Sequence, residues 1–436
     1  MKSLSVLSIF GVVLSLPVLS ADWSHWRGPA FNGTSDEKNP PVTFSKTENV
    51  AWSLEMPGPS AATPVIHGDT VFVSSTDTTA QSLVAMAVDR KTGKVRWKET
   101  VSEGYRRDDR SNYASPSPVT DGARAVFFYG NGELVSYDFQ GRKQWSRNIQ
   151  KDLGEFAFQW TFSSSPLMHG GKLYLQVLQR DVPANGRGKK DGPNESYLLA
   201  MDPATGKTLW RVVRPSEAVA ESREAFSSPV PFEHGGRKEL LIAGGDCVSG
   251  HDPETGKELW RWGTWNPDKI THWRFVPSPV GGDGVVLACA PKGSPVYAVK
   301  AGGSGVLDDN HIAWKSTENR VISSDVPTPA FYGGDFVVLS DVRKTLSRVE
   351  PKTGKAKWSL ELPGRAKFEG SPTVVDGKAY MMNFAGEVAV VDIEKGTLIS
   401  VVPMGEERDD MTRSVVPVAH GHLFIRTNKR LYCVGK

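Results

Sequence analysis

The chain alternates apolar and polar positions in short runs, and long stretches with the three-to-four-residue spacing of an amphipathic helix are absent. "TPVIHGDTVFVSS" (Thr63–Ser75) reads as a short strand, a turn containing Gly-Asp, and a second strand of alternating Val and Phe. Second strands of the same kind stand at "KLYLQVL", "FVVLS" and "KAYMMNF", and third strands at "SLVAMAVD", "SYLLAMD" and "GEVAVVD". A fourth strand runs through Trp, as in "KVRWKET". The pattern predicts units of four short antiparallel strands.

Two landmarks repeat in step with these units. The first is a Pro behind a small residue and usually ahead of an apolar one, at Pro64, Pro118, Pro166, Pro229, Pro279, Pro329, Pro372 and Pro417. The steps run from 43 residues (Pro329 to Pro372) to 63 (Pro166 to Pro229). The second is a phrase ending in Trp: "AVDRKTGKVRW", "AMDPATGKTLW", "GHDPETGKELW" and "RVEPKTGKAKW", with looser forms elsewhere. Its Asp closes a turn on backbone N–H groups two residues on, and its Gly supplies the positive φ of a tight hairpin. The Trp falls on the outermost strand, where a large ring covers an otherwise open edge against the next unit. Trp52, Trp97, Trp145, Trp210, Trp260, Trp314 and Trp358 are assigned this docking role, and Ser400 stands where an eighth Trp is expected.

Four strands in a period of 40 to 50 residues describe a propeller blade. The eighth unit stops one strand short after Cys433, and the missing strand appears at the other end as "NVAWSLEM". The expected fold is therefore all-β: an eight-bladed β-propeller of four-stranded antiparallel blades, closed by the N-terminal strand completing the last blade. Residues 49–436 form the propeller, 21–48 an N-terminal extension and 1–20 a signal peptide, with Lys2 ahead of an apolar run and cleavage after Ser20. No transmembrane segment is expected after cleavage, and the mature chain is expected to be a periplasmic or secreted monomer. A net charge of +3, with no long basic block, argues against nucleic acid as a partner. The three cysteines, Cys247, Cys289 and Cys433, lie far apart in strand-like runs and read as buried thiols.

Ala87–Trp97 and Ala200–Trp210 match in full the A-x-D-x-x-T-G-K-x-x-W motif of pyrroloquinoline-quinone (PQQ) type propeller repeats. The chain resembles the quinoprotein alcohol dehydrogenase-like superfamily over about residues 49–436. That superfamily holds members of different kinds. PQQ-dependent alcohol dehydrogenases are members, and so is BamB, a non-enzymatic propeller of outer-membrane protein assembly. "DWSHWRGP" (Asp22–Pro29) is similar to the start of many secreted bacterial PQQ-like repeat proteins. Two family features are missing: the adjacent-Cys pair of the dehydrogenases and the lipid-attachment Cys of BamB.

Function is sought where the repeats fail. The loops ahead of each Pro landmark are the least repetitive text, and in a propeller they converge on one mouth of the central channel. Arg110, Asn112, Gln159, Trp160, Arg223, His272, Trp273, Arg274, Asp325 and Arg413 are the candidates for lining a ligand funnel there. Such a mixture suits an anionic or polar ligand, or a peptide segment. HExxH, GxSxG and P-loop motifs are absent, so no catalytic residue and no metal ligand is assigned. The expected function is a non-catalytic exported scaffold that binds protein partners, similar to BamB, with no cofactor. The alternatives are a PQQ-dependent dehydrogenase, with Ca²⁺ drawn from Asn112, Glu155 or Asp325, and a ligand- or polysaccharide-binding propeller.

Overall fold

A computed structural model describes residues 22–435; the expected signal peptide lies outside the described residues. Eight sheets of at least four strands form a ring. Blade 1 spans Val65–His67 to Val95–Glu103, and blades 2 to 7 follow in chain order. Blade 8 takes three strands from the C-terminus and its outer strand, Val50–Glu55, from the N-terminus. That strand pairs antiparallel with Arg430–Val434, setting Trp52 opposite Cys433 and Leu54 opposite Leu431. Among the described residues helix is confined to Ile149–Leu153 and two 3-10 turns. Second strands such as Thr70–Asp77 are buried throughout, while outer strands such as Ala356–Glu361 alternate partly buried and exposed. The three thiols are free and buried.

The Trp phrase joins each blade to the next. The indole N–H of Trp52 donates to the carbonyl of Arg90, Trp97 to Phe139, Trp145 to Pro203, Trp314 to Pro351 and Trp358 to Ile393. Each acceptor immediately follows the acidic residue of the next blade's turn. The turn glycine lies flat against the incoming ring: a Cβ on Gly93, Gly141, Gly206, Gly354 or Gly396 would sit 2.5–2.7 Å from it. Trp210 packs on Gly256 in the same way, but its N–H has no acceptor among the described residues. Trp260 departs from the expected role. Its N–H donates to Glu239 of its own blade at 2.6 Å. The looser turn of blade 5 instead sends Gly305–Val306 to pair beside Trp260 as a fifth strand of blade 4.

The N-terminal extension crosses the channel end opposite the loops that lead into each blade. Trp23 bridges Ile66 in blade 1, and the Ser24 carbonyl accepts from Thr120 in blade 2. Phe31 meets His169 of blade 3 edge-on, Asn32 pairs with Phe331 of blade 6, and Thr34–Ser35 adds a parallel strand to blade 7. The Glu37 carboxylate then accepts from the backbone of His420 and Gly421 in blade 8. Further on, Phe44 joins the core between blades 7 and 8, and Ser400 donates to the carbonyl of Val42. Where the eighth Trp is missing, the extension covers the seam.

Asp22 holds this seam by charge as well. It lies 2.9 Å from His67 of blade 1 and 2.9 Å from His420 of blade 8. Donating a hydrogen bond to the Asp22 carboxylate raises the His67 pKa above its ordinary value of 6.5. A raised folded-state pKa adds stability that is fully present below about pH 6.5 and lost as pH climbs through the folded value. The thermal midpoint is therefore expected to fall by an amount equivalent to under ~1 kcal/mol across that window, because His67 is partly exposed. In Asp22→Asn this component of the pH profile should vanish. A wild-type midpoint that rises through the same window would contradict the clasp.

Candidate functional site

The innermost strand of each blade starts at a Pro landmark, and the residue before that Pro faces the channel. In blades 1 to 7 this residue is a hydroxyl: Thr63, Ser117, Ser165, Ser228, Ser278, Thr328 and Ser371. Together they make a belt. The Thr63 N–H donates to the Ser117 hydroxyl, Ser117 to Ser165, Ser165 to Ser228, Ser228 to Ser278, Ser278 to Thr328 and Thr328 to Ser371, at 2.8–3.0 Å. In blade 8 the position is Val416, and the Val415 N–H closes the belt onto Thr63 at 3.2 Å. Each hydroxyl spends a lone pair on a neighbouring blade. None donates its own hydrogen to an acceptor among the described residues.

Above the belt opens a funnel of about 430 Å³, lined by all seven hydroxyl residues. Trp26 of the extension also lines it. The channel is thus closed from below by the extension and open at the loop face. Its charged lining comprises Arg110, Arg274, Lys292, Lys367 and Arg413 against Asp325 and Glu369. Arg413 is held by Glu369 at 2.8 Å, and Arg274 by Glu221 at 3.2 Å. The side chains of Lys292 and Lys367 have no hydrogen-bond or ion-pair partner among the described residues. The Arg110 guanidinium lies over the Trp160 ring, 5.6 Å from its centroid, and has no ion-pair partner among the described residues. Three cations are left for a ligand.

Of the ten residues expected to line the funnel, Arg110, Trp160, Arg274, Asp325 and Arg413 do so. Asn112 borders a small side pocket and uses its amide on a turn, accepting from Ala114 at 2.9 Å. Gln159 is a clamp, accepting from Arg180 while its N–H donates to Glu224. Arg223 turns away to the carbonyls of Ser216 and Ala218, and His272 is exposed outside the funnel. Trp273 packs against the blade 4–5 core. Behind the wall, burial raises the Glu224 carboxyl to about 7 despite its Arg180 partner. Glu221 holds both Trp160 and Arg274, and so sets the aromatic and the cation side by side.

Trp26, Lys292, Lys367, Glu369 and the belt hydroxyls were not singled out from sequence. Lys292 sits in the hairpin between the second and third strands of its blade. Those hairpins share the loop face with the interblade loops, a consequence of up-and-down strands that marks them as candidates. The oxygen ligands expected for Ca²⁺ stand apart: Asn112 is committed to its turn, Glu155 is exposed, and Asp325 accepts from the Lys292 N–H. Among the described residues no three His, Cys, Asp or Glu side chains gather to hold a metal ion. No described helix is long and apolar enough to cross a membrane.

The family model described as outer membrane protein assembly factor BamB matches residues 34–177, 118–309 and 244–435. The polyvinylalcohol dehydrogenase of Sphingopyxis sp. (strain 113P3) is 23% identical over 385 residues, 82% of this chain and 54% of that protein. That of Pseudomonas sp. is 24% identical over 274 residues, 55% of this chain and 40% of its own. The chain spans about half the length of the curated relatives it matches. Among solved structures, BamB from Moraxella catarrhalis superposes with a TM-score of 0.58 at 14% identity, covering 89% of this chain and 97% of that one. Quinohemoprotein alcohol dehydrogenase from Comamonas testosteroni gives 0.63 at 14% identity, covering 95% and 81%. These two likenesses concern the fold.

Proposed function

The chain belongs to the family described as outer membrane protein assembly factor BamB, and from that premise we propose that it is an exported, non-catalytic binding propeller whose funnel receives an acidic segment of a partner protein. One observation carries the reading: Arg110, Lys292 and Lys367 line a one-ended cavity without acidic partners of their own. Unpaired cations around a concave mouth attract and orient carboxylates, and they act mainly on encounter rate and selectivity. The paired cations, Arg274 and Arg413, are held in place by Glu221 and Glu369 and keep spare N–H groups for a ligand.

The names of the curated relatives favour a second reading, a quinone-dependent dehydrogenase. A planar polycarboxylate meets suitable partners in Arg110 and Trp160. The oxygen ligands for an accompanying metal ion are not assembled, so the residues do not fit metal-assisted quinone chemistry, and no step is derived through it. Purified protein given PQQ and Ca²⁺ is expected to show neither a bound-quinone absorbance band nor dye-linked alcohol oxidation. Either signal would restore the dehydrogenase.

The binding reading is tested by calorimetry with a poly-glutamate peptide and a poly-glutamine peptide of equal length. Only the acidic peptide is expected to bind, less tightly as salt rises. Replacing Lys292→Glu and Lys367→Glu together should weaken it by about tenfold or more, because each reversal turns an attraction into a repulsion. Equal binding of both peptides, or indifference to the reversals, would end this reading.

A further inference from the structure

The floor of the funnel has a chemistry distinct from its mouth. Arg27 is fully buried in the extension. Its guanidinium donates to the carbonyls of Pro329 at 2.7 Å and Pro372 at 3.1 Å, and to Asn32 at 3.3 Å. Pro329 and Pro372 directly follow the belt residues Thr328 and Ser371. The charge therefore sits just beneath the hydroxyl belt, on the far side of Trp26, whose ring centroid is 5.4 Å from the guanidinium carbon. No carboxylate pairs with Arg27 among the described residues. Burial lowers its pKa to about 9, so it remains charged near neutrality. A buried cation without a counter-ion is costly, and an anion nearby in the same low-dielectric region relieves that cost.

Two independent features thus converge on one spot: hydroxyl hydrogens with no acceptor, and a buried positive charge with no counter-charge. We propose that the funnel floor is an oxyanion site, at which a carboxylate, phosphate or sulfate group accepts hydrogen bonds from the belt hydroxyls while Arg27 balances its charge from below. The N–H side of the belt remains intact, because each hydroxyl accepts from the neighbouring blade and donates to the ligand. Val276 and Val326 line the wall with an apolar surface, so the preferred ligand carries its oxyanion at one end of an apolar or neutral body. This site rests on the funnel being the binding cavity. It adds that recognition is completed at the bottom, by a segment that also seals the ring.

The test uses the full mature chain and sodium sulfate, titrated against sodium chloride at equal ionic strength. Wild type is expected to show one saturable sulfate site by calorimetry and a matching rise in thermal midpoint. Val276→Glu places an internal carboxylate in the funnel and should reduce sulfate affinity by about tenfold or more while melting stays cooperative. Val326→Glu, on the neighbouring blade, gives the same test if the first variant does not fold. Lys355→Met, exposed in an outer hairpin away from the funnel, should change sulfate affinity by less than about threefold, since exposed charges are screened. Failure of sulfate to saturate, or saturation unchanged in both Glu variants, overturns the floor site. If poly-glutamate still binds in that case, the funnel reading survives and only the floor is lost; if neither probe binds, both fall. Sulfate that displaces poly-glutamate assigns the floor to an acid group of a partner, and sulfate that binds without displacing it assigns the floor to a free small oxyanion.

Discussion

A chain lacking residues 22–56 is expected to give no cooperatively folded propeller. The deletion removes the outer strand of blade 8, leaving the edge at Arg430–Val434 unpaired. It also removes Trp23, Phe44, Trp52 and Met56, all buried. At roughly 1.5–3 kcal/mol for each large apolar side chain, those four alone represent about 10 kcal/mol, comparable to the whole stability of an ordinary domain. The plug across the far channel end goes with them. The expected observables are a collapsed far-UV β signal or a non-cooperative melt. A permuted chain running 57–436 and then 22–56 should refold, because the segment is needed but its place in the chain is not. The join is short: Gly435 lies against Gly421, and Asp22 contacts His420. A truncated chain that melts at the wild-type temperature would show that the ring does not depend on this closure.

The propeller was legible because it is written eight times. A Pro landmark and a Trp phrase in register leave few arrangements open, and the copy missing after Cys433 points to Trp52 as its replacement. What the repeats could not convey is what happens between copies. Trp260 has its Trp and an adequate turn, yet it bonds Glu239, because the turn it should dock on is altered in the following blade. The extension presents a different difficulty. Residues 22–44 have no periodicity, and their role lies in touching several blades in succession, a property of path that no local pattern encodes.

The funnel was half legible for a related reason. Divergent loops ahead of each Pro pointed to the face on which the cavity opens, and Arg110, Trp160, Arg274, Asp325 and Arg413 from those loops line it. Polarity alone does not say which way a side chain turns, and Arg223 and Gln159 turn outward to serve backbone and clamp contacts. The belt hydroxyls are in plain view in the sequence as the small residue of the Pro landmark, where nothing local marks them as a site. They are scaffold: each links two blades. Their second hydrogen-bonding capacity emerges only when seven of them face one axis.

The same dual use decides how the Trp phrase should respond to mutation. Gly354 has φ +71°, and a Cβ there would lie 2.5 Å from the Trp314 ring. Two explanations for this glycine are thus present together, the left-handed backbone and the close approach of the ring. Gly354→Ala is expected to cost about 3 kcal/mol, combining about 1–2 for a Cβ at positive φ with about 1–3 for overpacking. Trp314→Ala should cost about 3–5 kcal/mol, since the ring is buried and donates to Pro351 at 2.6 Å. The two costs should not add. Once the ring is gone the alanine methyl has room, so Gly354→Ala in the Trp314→Ala background should cost only the backbone share, about 1 kcal/mol. Gly170→Ala offers a reference, with φ +55° and nothing within 4 Å of its Cβ. It should cost about the same 1 kcal/mol as Gly354→Ala without the ring. Urea unfolding of the four chains in the cycle measures the coupling, expected near 2 kcal/mol. Additive costs would mean that Gly354 is kept for its φ alone, and that the ring docks on the turn without constraining what stands there.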